Sequence, residues 1–237
     1  MPLHRSSYSG EQPDGRIVMS SMPFRYTCFL SYRHGQNELT RARITQLFEA
    51  LENEVRQFVD LPVYVDYDRL QPGYLYNEAL ASELCSSVCM VMAYTPTYFD
   101  QAHPYCAREY KGMEKLEAER MALVPRNGDM AVRGLIIPIA FRGADRLPRE
   151  ITEKRLYENF DTFALGERKL SKHPKFKHRI KVIAEYVAER YDALIAAGAD
   201  ACGGCLEFRL PSDNDVREWL KTVCTQPLGF PGHEVGL

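Results

Sequence analysis

The feature that most constrains the fold of this chain is a regular alternation of short apolar runs with longer segments of helical period. Four runs are rich in apolar and β-prone residues: Tyr26–Ser31, Pro62–Val65, Val88–Ala93 and Gly134–Ala140. Helical periodicity is expected between and after them, over residues 39–58, 75–85, 106–123 and 173–196. Strands that alternate with helices predict right-handed crossovers and a parallel sheet covered on both faces.

We therefore predict an α/β fold: a flavodoxin-like five-stranded parallel sheet with helices on both faces. The run Val88–Ala93 is continuously apolar, which is typical of a central strand. Pro138 cannot donate to a strand ladder, so the fourth strand is expected to lie near an edge or to carry an irregularity at this residue. A short helix is expected around Arg149 to Arg155, and a short fifth strand near Phe160 to Phe163.

The chain is predicted to contain one main domain with two flanking segments. Residues 1–23 are polar and read as a flexible N-terminal tail, and residues 24–197 form the domain. Residues 198–237 form a C-terminal extension with one short helix around Asp213 to Val223. No internal repeat is apparent.

Charge and hydropathy disfavour several classes of function. The net charge of −2 and the pI near 6.3 make a nucleic-acid partner unexpected, because such domains usually carry a large basic excess. No run reaches the ~18 apolar residues of a membrane span, so no membrane association is expected. The absence of a secretory leader and the odd count of seven cysteines favour the cytoplasm.

Cys28, Cys85, Cys89 and Cys106 lie in apolar or helical runs, where a reduced cysteine behaves as a small hydrophobe. Cys202 and Cys205 have the spacing of a zinc or thioredoxin-type pair, but no second pair accompanies them. A zinc site that also uses Cys224 and His233 is an alternative, but no metal site is predicted. The basic run from Arg168 to Lys181 is likewise best explained as the solvated face of a helix.

Topology indicates where a ligand would bind. In open α/β sheets, ligands bind beyond the carboxyl ends of the strands, where the strand order reverses. For a flavodoxin-like order this point lies between the first and third strands. The crevice is then bordered by the segment after Ser31 and by the loop that leads to Tyr105.

Three side chains beside this crevice are candidates. Tyr105 and Glu109 are four residues apart near a helix start, so both project from one face. Taken alone, Glu109 is explained as a complement to the helix macrodipole, and Tyr105 as packing. Arg33 is either a surface charge or a phosphate partner. No glycine-rich phosphate loop follows the first strand, and Ala93-Tyr94 lacks the aspartate of a receiver domain.

Three short motifs in chain order resemble the signature boxes of Toll/interleukin-1 receptor (TIR) domains. The first is Phe29-Leu-Ser-Tyr-Arg33. The second consists of Asp66, Leu70 and Pro72-Gly73, and the third is Tyr105-Cys-Ala-Arg-Glu109. The resemblance covers roughly Phe24 to Ala196. The family's flavodoxin-like fold agrees with the fold predicted from the alternation.

The resemblance implies an activity and a set of site residues. Some TIR domains cleave NAD+ to nicotinamide and ADP-ribose or a cyclic isomer, with NAD+ as substrate rather than cofactor. Their catalytic glutamate lies four residues after an aromatic, usually Trp, which corresponds here to Glu109 after Tyr105. By the same correspondence, the substrate-binding residues are Ser31, Tyr32, Arg33, Leu75 and Tyr105. His34 stands where some members carry a second arginine.

The resemblance also implies partners and leaves alternatives open. TIR domains self-associate, and the loop from Asp66 to Tyr74 is the segment expected to contribute; an activating partner protein or ligand is also expected. The leading hypothesis is an NAD+-cleaving TIR protein of prokaryotic immune defence. The alternatives are a non-catalytic TIR interaction module and a flavodoxin-like nucleotide-binding protein without cleavage.

Overall fold

A computed structural model describes residues 24–34, 38–66, 76–125, 133–164, 169–199 and 204–224. Its sheet consists of β1 (Tyr26–Tyr32), β2 (Val63–Val65), β3 (Ser87–Tyr94), β4 (Ile136–Ala140) and β5 (Glu158–Asn159). The helices are α1 (Glu38–Val55), α2 (Tyr76–Cys85), α3 (Tyr105–Met121), α4 (Arg149–Lys154), α5 (Asp161–Ala164), α6 (Pro174–Ala196) and α7 (Asp213–Cys224).

The five strands are hydrogen-bonded in the order β2-β1-β3-β4-β5, and every pair is parallel. This confirms the predicted flavodoxin-like α/β fold. The eight residues of β3 are all buried, as its continuous apolar sequence predicts for a central strand. The strand order reverses between β1 and β3, so a crevice is expected at their carboxyl ends.

The outer side of the sheet carries the irregularity expected from Pro138. β5 pairs with β4 only at Ile139 and Ala140, so Pro138 lies where β4 has no outer partner among the described residues. The missing N–H of this proline therefore disrupts no ladder bond.

The predicted fifth strand near Phe160 to Phe163 is wrong. The strand is Glu158–Asn159, and α5 follows it directly. Phe160 and Phe163 are both buried and their rings make an edge contact at 5.3 Å. Two aromatic residues three positions apart reach one side of a helical turn, whereas in a strand they would point to opposite faces.

The expectation that Cys85 is a reduced core cysteine is also wrong, because Cys85 forms a disulfide with Cys205. The two residues are 120 positions apart, and the C-terminal extension reaches the end of α2 only in the folded chain. Cys28, Cys89 and Cys106 are free and buried, in agreement with their apolar context. Cys202 lies outside the described residues.

The described part of the extension joins the hydrophobic core. Phe208, Leu210, Val216 and Leu220 are buried in the same cluster as the sheet residues. Its helix α7 covers the span predicted from sequence. None of the described helices is both long and apolar enough to cross a membrane.

Candidate functional site

The candidate site lies where β1 ends and α3 begins. Ser31 and Tyr32 are the last residues of β1, and α3 starts at Tyr105. The Cys106 thiol contacts the Tyr32 carbonyl at 3.5 Å, which holds the first turn of α3 against the end of the strand. The helix therefore presents its first turns to the carboxyl edge of the sheet.

Glu109 is buried at this site, with 6% of its surface exposed. The Ser31 hydroxyl donates a hydrogen bond to Glu109 Oε2. The Ser31 and Tyr98 hydroxyl oxygens are 2.5 Å apart. Either hydroxyl can be the donor in this pair. The three side chains thus form one hydrogen-bonded chain that ends on the carboxylate.

Burial raises the pKa of Glu109 from 4.5 to about 8. The hydrogen bond from Ser31 and the charge of Arg108 oppose this shift, whereas the negative charge of Asp66 adds to it. Most Glu109 carboxyl groups are therefore protonated at neutral pH. A carboxyl group with this pKa is unusual outside functional sites, although buried structural acids also show such shifts.

Tyr105 lies at the rim of the site, 43% exposed. Its ring makes an edge contact with Tyr76 at 5.4 Å, and the Arg108 guanidinium lies 5.6 Å from its centroid. Burial raises the pKa of Tyr76, and the charges of Asp66, Glu109 and Tyr105 add to this shift. An exposed aromatic ring one helical turn before a buried carboxyl group can stack on a flat heterocycle.

Asp66 and His34 form a second titratable pair beside Glu109. The Tyr76 hydroxyl donates to Asp66 Oδ2 at 2.9 Å, and His34 Nε2 is 3.6 Å from the same oxygen. Burial raises the pKa of Asp66. Burial, opposed by Asp66, lowers the pKa of His34. The His34 ring stacks on Tyr32 with centroids 4.4 Å apart.

Arg33, which follows β1 directly, is paired with protein groups. Its guanidinium forms an ion pair with Asp100 at 3.4 Å and donates to the His34 carbonyl at 2.5 Å. Asp100 also accepts hydrogen bonds from His103 and the Ala102 amide, and these contacts lower its pKa. A phosphate that binds Arg33 would therefore compete with Asp100.

The structure brings most of the predicted residues to one place. Ser31 contacts Glu109, Tyr32 and Arg33 follow directly, and Tyr105 lies one helical turn before the acid. Leu75 and residues 67–74 of the expected self-association loop lie outside the described residues. Residues 1–23 lie outside them as well.

Sequence reasoning missed four contributors to the site: Tyr76, Tyr98, Arg108 and, as a neighbour of Glu109, Asp66. Asp66 belongs to the second TIR-like motif, but it was predicted only as part of the self-association loop and not as a neighbour of Glu109. Tyr76 and Tyr98 carried no signal because aromatic residues are common in cores, and only the fold directs their hydroxyls to carboxyl and serine oxygens.

Among the described residues, no group of three or more His, Cys, Asp or Glu side chains is arranged to hold a metal ion. The alternative of a zinc site that includes Cys205 is inconsistent with its disulfide bond. The sequence matches no protein-family model and no curated protein.

Proposed function

We propose that this protein is a TIR-type enzyme that cleaves the nicotinamide–ribose bond of NAD+, with Glu109 as the catalytic residue. One observation carries the proposal: the Glu109 carboxyl group is buried at the carboxyl end of β1, where it accepts a hydrogen bond from Ser31. That is the edge where ligands bind in open α/β sheets. The identity of the substrate, NAD+, is inferred from the resemblance of the three motifs to TIR domains.

The chemistry needs one carboxylate because of the leaving group. Ordinary glycosidases use two carboxyl groups, one of which protonates the departing oxygen. Nicotinamide is bound to ribose as a pyridinium and departs neutral without a proton. A carboxylate beside the ribose orients its hydroxyls and stabilises the positive charge that develops at the anomeric carbon.

The raised pKa of Glu109 suits this role. At neutral pH the carboxyl group is mostly uncharged, since its pKa is about 8. A bound pyridinium places a positive charge nearby, which favours the ionised carboxylate. Substrate binding is thus expected to convert Glu109 into the anion that the reaction requires.

The other residues have supporting roles in the proposal. Tyr105 stacks on a ring of the substrate, and Arg33 binds a phosphate in exchange for Asp100. Capture of the ribosyl cation by water gives ADP-ribose, whereas capture by the adenine ring gives a cyclic isomer. The proposal includes a cytoplasmic location, activation by self-association and a role in immune signalling such as antiphage defence.

The test is nicotinamide release from NAD+ by concentrated wild-type protein, followed by chromatography of the products. Glu109→Gln is expected to abolish release and keep the fold. The matched control is Glu119→Gln, which changes an exposed glutamate of the same helix and is expected to keep full activity. Equal turnover by Glu109→Gln would reject the assignment of Glu109. Wild-type protein that stays inactive across a concentration series would favour the non-catalytic interaction module instead.

A further inference from the structure

Residues 204–224, which we term the C-terminal segment, pack along α3. Phe208 and Leu210 are buried against Gly112. A β-carbon at this glycine would lie 2.9 Å from Leu210 Cδ2 and 3.5 Å from Phe208 Cζ. The absence of a side chain at Gly112 therefore lets the segment approach the helix that carries Glu109.

Arg108 joins the C-terminal segment to the candidate site. Its Nε donates to the Pro211 carbonyl at 2.6 Å, and its Nη1 lies 3.3 Å from Asp213. The same Nη1 donates to Asn77 in α2 at 3.2 Å. Arg108 precedes Glu109 directly and lies over Tyr105, so these contacts act on the part of α3 that forms the site.

Trp219 makes a second connection to the same helix. Its indole stacks on Tyr110 with centroids 5.5 Å apart, and the Lys111 ammonium lies 4.3 Å from its ring. The indole N–H donates to Glu150 in α4. Trp219 is the single tryptophan of the chain, so its fluorescence reports on this contact without mutation.

The Cys85–Cys205 disulfide fastens the C-terminal segment to the end of α2. Both cysteines are buried, yet Cys85 lines an open cavity of about 340 Å³ between α3 and the segment. Lys115 and Phe208 line the same cavity. A small thiol has room there to approach the disulfide.

We propose that Cys85–Cys205 is a redox site, and that its reduction by a small dithiol weakens the packing of the C-terminal segment against α3. A reductant thiolate attacks one sulfur, a mixed disulfide forms, and the other cysteine leaves as a thiolate that takes up a proton. The second reductant thiol then displaces the remaining cysteine. In sum, two electrons and two protons pass to the protein, and the dithiol becomes a cyclic disulfide.

The proposed function includes a cytoplasmic location, and the cytoplasm is a reducing compartment. Disulfides that form in a reducing compartment usually serve redox sensing or catalysis rather than permanent stabilisation. With the bond intact, residue 205 is fixed at the end of α2, and the contacts of Arg108 and Trp219 form in a segment that is tethered there. After reduction the C-terminal segment is held only by these non-covalent contacts, so it detaches from α3 more often.

The first test uses Trp219 in full-length protein, with dithiothreitol as the reductant. Peptide mapping without reductant is expected to recover the 85–205 pair. Reduction is expected to raise the acrylamide quenching constant of Trp219 by about twofold or more. The double variant Cys85→Ser/Cys205→Ser is expected to match reduced wild type and to ignore dithiothreitol. The control Cys28→Ala, which removes a buried free thiol, is expected to respond as wild type does.

Two results would overturn the redox site: a mapped protein without the 85–205 pair, or Trp219 quenching that is the same before and after reduction. Reduced wild type and the double variant both lack the disulfide, and they are prepared independently. If the double variant fails to fold, Trp219 quenching in reduced wild type still decides the proposal.

The consequence for activity rests on the proposed function and is measured separately. Reduction is expected to lower kcat/KM for NAD+ by about threefold to tenfold, because Arg108 and Tyr105 lose their fixed positions. A change in Trp219 quenching with unchanged kcat/KM would overturn the coupling to α3. If no redox state releases nicotinamide, the proposed function fails, while Trp219 quenching still decides the redox site.

Discussion

Replacement of Glu109 by glutamine should change how the stability of the protein depends on pH. In the folded state Glu109 keeps its proton up to about pH 8, whereas the unfolded chain releases it near 4.5. Between these values the folded state binds more protons than the unfolded state, so the free energy of unfolding falls as pH rises. The contribution of Glu109 is therefore most favourable below 4.5 and fully lost above about pH 8.

The magnitude follows from the difference between the two pKa values. A shift from 4.5 to about 8 corresponds to roughly 5 kcal/mol, at about 1.4 kcal/mol per unit. Roughly half of this falls between about pH 6 and about pH 9, so we expect wild type to lose about 2.5 kcal/mol over that interval through this residue. The side-chain amide introduced by Glu109→Gln carries no titratable proton, so this variant should lack that loss.

Urea unfolding at both pH values, followed by Trp219 fluorescence without reductant, measures the effect. The wild-type midpoint is expected to fall by roughly 1 M more than that of Glu109→Gln, for an m-value of about 2.5 kcal/mol/M. The control Glu119→Gln, on the exposed face of the same helix, should follow wild type. Equal pH dependence of wild type and Glu109→Gln would refute the claim that this carboxyl group is buried and neutral.

Further expectations concern activity. In wild type, kcat/KM for NAD+ should rise with pH and level off above an apparent pKa near 8, because this parameter reports the free enzyme. Asp66→Asn should move that rise to lower pH, since the charge of Asp66 raises the pKa of Glu109; an unmoved profile would contradict their coupling. Tyr105→Ala should raise KM by about tenfold with little loss of stability, and Tyr105→Trp should restore it; equal KM in all three proteins would exclude stacking. Arg108→Met should lower kcat by about tenfold and increase hydrogen exchange in residues 213–224. Unchanged exchange would contradict the proposal that Arg108 holds the C-terminal segment against α3.

Local patterns were sufficient to predict most of the fold. Apolar runs of strand length, helical stripes and turn residues are short-range signals, and together they predicted a parallel sheet with helices on both faces. The fifth strand was misplaced because Phe160 and Phe163 predict a buried segment, but four residues are too few to show the period of a strand or of a helical turn. Only their packing in the structure distinguishes the two.

The candidate site was predictable in part. The sequence by itself placed Ser31 and Glu109 at one edge of the sheet, since the carboxyl ends of parallel strands share an edge. Only the tertiary structure decided that Ser31 and Tyr98 form a hydrogen-bonded chain to this acid and that its pKa is raised to about 8. It also decided that Cys85 pairs with Cys205. Burial, charge proximity and a disulfide across 120 residues arise from long-range contacts, which no local pattern in the chain encodes.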